Sequence, residues 1–152
     1  MIKVGIIGGS GLEDPNFLSE YTIKAVDTKY GYPSSELFIG RIVDTPVVIL
    51  SRHGKDHSIN PTNVNYRANI LALKEEGCTH ILAATACGSL REEIKPGHFV
   101  FPDQFIDRTS KRVSTFFDGD DVQHTPMGSP FSKLLRTILI GACENLGYEY
   151  HN

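Results

Sequence analysis

The chain has 152 residues, of which 40% are hydrophobic and 22% charged, with 15 basic and 18 acidic side chains and a formal net charge of −3. That length holds about one ordinary domain of roughly 100–150 residues, so residues 1–152 are read as a single domain. The composition is near average globular usage and far from that of disordered, collagen-like or membrane chains. A net negative charge gives no pull toward nucleic acid or an anionic membrane, so neither is expected as a partner, and any anion must be held by a local device. The longest apolar runs, such as Thr45 to Leu50 and His80 to Cys87, fall well short of the ~20 residues a membrane-spanning helix needs. Met1-Ile2-Lys3 leads directly into a strand-like run without a small-residue cleavage site, so no export signal is expected. Cys78, Cys87 and Cys143, an odd number of cysteines, fit neither a disulfide framework nor a zinc pattern and imply free thiols in a reducing cytoplasm.

In chain order, Val4 to Ile7 is a short apolar run closed by glycines, which predicts a buried strand, and Gly8-Gly9-Ser10-Gly11 predicts a tight turn behind it. Tyr21 to Val26 and Ser35 to Ile42 alternate roughly, as antiparallel or edge strands do, with Gly31-Tyr32-Pro33 between them. Val47 to Ser51 is another short buried strand. Asn63 to Glu76 changes period, with Val64, Ala68, Leu71 and Leu73 with Ile70 near one face and Gly77 as a stop, which predicts a helix. Thr79 to Ala86 returns to a continuous apolar run, so strand, helix and strand suggest a crossover onto a parallel sheet. Phe99 to Pro102 with Phe105-Ile106 predicts a further strand, and Arg108 to Pro130 a long functional or disordered loop. Ser132 to Leu146 predicts a second helix ended by Gly147, and Tyr148 to His151 the start of a strand. The expected class is α/β, a central mixed β-sheet flanked by helices. Because a paired strand normally follows such a helix, the fold is expected to be incomplete at the C-terminus.

Three stretches could carry chemistry. Gly8-Gly9-Ser10-Gly11 follows a strand, and its missing Cβ atoms would let backbone N–H groups and one hydroxyl approach an anion; a ligand-free turn would look the same. It is neither a dinucleotide fingerprint, since no G-x-G-x-x-G can be placed, nor a Walker A loop, since Gly54-Lys55 is followed by Asp56. Ser51-Arg52-His53-Gly54 follows the next buried strand, where ligands of α/β sheets collect. Arg52 offers a planar fork suited to phosphate and His53 a further donor. A solvated basic loop, or a metal pair with His57, is the alternative, although Gly54 weakens a helix there and no Glu completes a metalloprotease motif. Thr85-Ala86-Cys87-Gly88-Ser89 offers hydroxyls and a glycine-freed backbone, with Cys87 read as a buried inert thiol rather than a nucleophile.

Taken together, Gly5 to Leu12, Ser51-Arg52-His53-Gly54, Pro61 with Asn65 to Asn69, and Thr85 to Glu93 resemble the methylthioadenosine phosphorylases within the trimeric purine nucleoside phosphorylase family. The resemblance continues through Pro96-Gly97, Asp103 to Thr109, Phe117-Asp118-Gly119 and His124 to Met127. It implies phosphorolysis of 5′-methylthioadenosine to adenine and 5-methylthioribose 1-phosphate, in purine and methionine salvage. It further implies a cytoplasmic homotrimer with inorganic phosphate as co-substrate and no metal or organic cofactor. By the same resemblance Ser10, Arg52, His53, Thr85 and the backbone of Ala86 bind phosphate, and His124 reaches the 5′-substituent in a neighbouring subunit. The family's base-recognising acidic residues come from its C-terminal half and have no counterpart among these residues. A relative acting on inosine, guanosine or methylthioinosine, or a truncated phosphate-binding relative without activity, stays open.

Overall fold

The computed structural model describes residues 1–9 and 11–152. It divides into two compact units, one formed by Met1–Ala86 with Lys111–Phe116 and the other by Cys87–Ser110 with Phe117–Asn152.

The first unit is built on a five-stranded mixed sheet, β1 (Val4–Gly8), β2 (Ser19–Lys24), β3 (Leu37–Ile42), β4 (Thr45–Ser51) and β5 (His80–Ala83), in the order β2-β3-β4-β1-β5. β1 runs parallel to both β4 and β5, while β2, β3 and β4 pair antiparallel in succession. The expected crossover is therefore present: the chain leaves β4, forms α1 (Tyr66–Glu75), and returns beyond β1 as β5. Period-two alternation splits the apolar side chains between the two faces. Ile7, Leu37, Val48 and Leu50 pack with Ala72 and Leu73 of α1, whereas Leu18, Val47 and Ile49 form a second cluster with Val4, Ile6 and Phe38. β4 is central, so residues 47–50 are all buried and read as one apolar run. β2 is one of the two edge strands, and every one of its residues is exposed.

α1 begins three residues later than its periodicity suggests. Asn65 caps it, its side chain accepting from the Ala68 N–H, so the residues before it stay outside the helix. At the other end Gly77, at φ 79°, donates to Lys74 O while Cys78 N–H donates to Leu73 O, closing the last turn as a glycine stop does.

In the second unit β6 (Phe99–Val100) and β7 (Tyr150–His151) form a two-stranded parallel pair, and α2 (Lys133–Leu146) starts at a Ser132 cap and ends at Gly147, φ 71°. Phe105-Ile106 is not a strand, contrary to the sequence pattern. The Phe105 N–H is taken by the Gln104 side chain, and Pro102 lacks a donor with which to continue the ladder. Residues 108–130 contain no helix or strand, as the long-loop reading anticipated.

Candidate functional site

Because β1, β4 and β5 are parallel and in register, their carboxyl ends meet at one sheet edge: Gly8 lies opposite Ser51, and Ile7 opposite Ala83. Backbone hydrogen bonds carry this alignment one step further, from Arg52 N–H to Gly8 O (3.0 Å) and from Ala84 N–H to Ile7 O (3.1 Å). The three sequence stretches singled out above thus leave the sheet side by side. Ser10 lies outside the described residues; beside it, Leu12 N–H donates to Gly9 O at 3.1 Å.

Arg52 is the centre of the arrangement. Its Nη1 donates to Ala84 O (3.0 Å), Nη2 to Thr85 Oγ1 (3.2 Å) and Nε to His53 Nε2 (3.2 Å). A guanidinium has five N–H donors, so one hydrogen on each terminal nitrogen is left over from these three bonds, a pair suited to a phosphate edge. The other His53 nitrogen, Nδ1, faces Ile59 O at 2.8 Å. A carbonyl can only accept, so Nδ1 carries the hydrogen and Nε2 is the acceptor for Arg52. Both ring nitrogens of His53 are therefore engaged in holding the arginine and the following loop.

Close approach explains one glycine. A Cβ on Gly9 would lie 2.9 Å from Arg52 Nη2, so the guanidinium rests against bare backbone. Thr85 and Ala86 are exposed in the loop after β5. That strand ends at Ala83, three residues before the sequence reading ended it, which turns Thr85 and Ala86 from strand residues into loop residues beside Arg52. It also corrects the reading of Cys87, which is exposed rather than buried. His57, considered as a metal partner for His53, instead pairs with Glu13, Nε2 to Oε1 at 2.8 Å. The imidazoles of His53 and His57 stack with centroids 6.1 Å apart. No group of three or more metal-ligating side chains occurs among the described residues. His124 belongs to the second unit, where it is exposed within the long loop.

Sequence reasoning missed three contributors: the Ala84 carbonyl, the bare face of Gly9 toward Arg52, and Glu13. The first two are backbone features that carry no side-chain signature, and Glu13 is one acidic residue in a loop until His57 is brought to it.

Residues 3–152 match the family model described as the phosphorylase superfamily. The chain belongs to this superfamily. Curated phosphorylases that it resembles include the S-methyl-5′-thioadenosine phosphorylases of Danio rerio, 55% identical over 99% of this chain and 55% of that protein, and of Xenopus tropicalis, 57% identical over 99% of this chain and 56% of that protein. Among solved phosphorylase structures, methylthioadenosine phosphorylase from Schistosoma mansoni in apo form superposes with a TM-score of 0.91 at 49% identity, covering 97% of this chain and 54% of that one. A mutant of the Schistosoma enzyme in complex with methylthioadenosine gives a TM-score of 0.91 at 48% identity, covering 97% of this chain and 53% of that one. The chain spans about half the length of the curated phosphorylases it matches.

Proposed function

We propose that this chain supplies the phosphate-binding half of an S-methyl-5′-thioadenosine phosphorylase, which converts 5′-methylthioadenosine and inorganic phosphate to adenine and 5-methylthioribose 1-phosphate. The observation that carries the reading is Arg52, held at three points by Ala84, Thr85 and His53 with two N–H groups left over, against the bare backbone of Gly9. The names of relatives about half identical to it across nearly its whole length support the substrate over inosine, guanosine or methylthioinosine.

The chemistry asks for such a site. Cleaving the glycosidic bond leaves positive charge on the ribose and negative charge on the departing purine, so a fixed phosphate dianion both stabilises the cation and attacks C1′. In this reading Arg52 binds and orients the dianion, His53 fixes Arg52, and Thr85, the Ala86 backbone and the Ser10 hydroxyl complete the cradle. His124 reaches the 5′-substituent from a neighbouring subunit of a cytoplasmic homotrimer. Recognition of the adenine belongs to a part of the enzyme that follows these residues in the relatives, and the reaction uses no metal or organic cofactor.

The test is adenine release from 5′-methylthioadenosine with phosphate. A protein carrying this chain at the relatives' full length should release adenine and the 152 residues alone should not. In the active form Arg52→Ala should raise the phosphate KM by at least tenfold. An unchanged phosphate KM would remove Arg52 from the site, and adenine release by the 152 residues alone would overturn the division between the two halves.

A further inference from the structure

The glycine-rich turn folds back tightly on itself: a Cβ at Gly8 would meet Leu12 O at 2.7 Å and Glu13 N at 3.1 Å. Whatever fastens Glu13 therefore fastens Gly8 and Gly9 as well. Glu13 is fastened across the sheet edge, where its Oε1 accepts from His57 Nε2 at 2.8 Å in the loop that follows β4. Its second oxygen, Oε2, is buried and accepts no hydrogen bond among the described residues, an arrangement that costs stability and calls for a reason. His57 itself holds a left-handed backbone, φ 50°, which is uncommon for a non-glycine residue although histidine adopts it more readily than most. The turn from Gly54 to His57, closed by His57 N–H to Gly54 O at 3.3 Å, puts the imidazole on Glu13 while its ring stacks on His53. His53 in turn holds Arg52 Nε.

We propose that Glu13 and His57 are positioning residues of the phosphate site, a hydrogen-bonded pair that latches the glycine-rich turn onto the Arg52–Ile59 loop and so sets the approach of Gly9 to the Arg52 guanidinium. The proposal rests on the phosphate-site reading above. The two strands from which these loops emerge are already zipped by their ladder up to Gly8 and Ser51. Beyond the ladder, Arg52 N–H to Gly8 O is a backbone link, and the Glu13–His57 pair is the side-chain link that fixes the loop tips. Neither residue is assigned to touch the substrate; both act through Gly9, His53 and Arg52.

The experiment uses the protein at the relatives' full length with Glu13→Gln, His57→Ala and the double variant, reading KM for phosphate, KM for 5′-methylthioadenosine, and the dissociation constant of inorganic phosphate by titration calorimetry. Each single variant should weaken phosphate about fivefold or more in both KM and dissociation constant, with a smaller change in the nucleoside KM. The double variant should be no worse than the worse single, because breaking either side of one latch releases it. Restoring a donor with His57→Gln should recover part of the loss relative to His57→Ala. A lowered melting temperature with phosphate binding unchanged, or effects that add in the double variant, would overturn the latch. A wild-type protein that binds phosphate but releases no adenine would count against the proposed activity and leave the latch to be judged by calorimetry. One that binds no phosphate would overturn both.

Discussion

Gly9→Ala isolates the phosphate site from the fold. The added methyl would sit 2.9 Å from Arg52 Nη2, whereas ordinary contact begins at 3.4 Å, so the guanidinium must retreat by about 0.5 Å. The next neighbour that methyl would meet is the Arg52 carbon at 3.7 Å and then Ala84 O at 3.9 Å, both in normal contact. Gly9 does not have the left-handed φ recorded at Gly11, so alanine is not strained there. The backbone can thus keep its place while the end of a flexible side chain moves. That movement stretches the 3.0 Å and 3.2 Å bonds to Ala84 O and Thr85 Oγ1 and turns the remaining N–H pair away from its ligand. Charge-assisted hydrogen bonds contribute about 1.5–3 kcal/mol each, so losing one should weaken phosphate between about tenfold and a hundredfold. The assay is the phosphate KM from adenine release at saturating 5′-methylthioadenosine, beside a thermal melt of the same variant. A phosphate KM within twofold of wild type, with the melt unchanged, would refute the claim that Arg52 must lie against Gly9 to work.

Two further outcomes follow from the burial pattern. Asn69 is 2% exposed, accepts from Ser34 N–H at 2.8 Å and donates to Ser34 Oγ at 3.0 Å; Asn69→Ala strands those groups and should cost about 1–3 kcal/mol, read as a lowered urea midpoint with the same slope. At neutral pH iodoacetamide should alkylate exposed Cys87 well before Cys78, whose thiol pKa is raised mainly by burial, with Lys3 opposing and Glu76 adding to the rise. Timed peptide mass spectrometry reads this directly, and equal rates at the two cysteines would contradict the burial described.

The strand runs and the helix periods were legible because each is a local pattern: apolar runs bounded by glycine for β1 and β4, spacing of three and four for α1 and α2, and Gly77 and Gly147 as stops. The ends of elements were less legible. Asn65 could have been an interior helix residue until its side chain was seen to cap Ala68, and β5 reads as apolar through Cys87 although its ladder with β1 stops at Ala83. Phe105-Ile106 has the right side chains for a strand, but among the described residues no partner strand takes its N–H groups, and a strand exists only as part of a ladder.

By itself the sequence determined the parts of the site: a glycine-rich turn, an Arg-His pair and a Thr-Ala stretch, each behind an apolar strand, because residue type fixes which groups can approach and bind an anion. Tertiary structure decided how they act together. Parallel registration of β1 with β4 and β5 set the three loops side by side, and the geometry around Arg52 committed three of its five donors to His53, Ala84 and Thr85. Only there does His53 become the residue that holds Arg52, and only there does Glu13, far from His57 in sequence, acquire a partner. The physical reason is that hydrogen-bond direction and close approach depend on distances between strands, which no local stretch of sequence encodes.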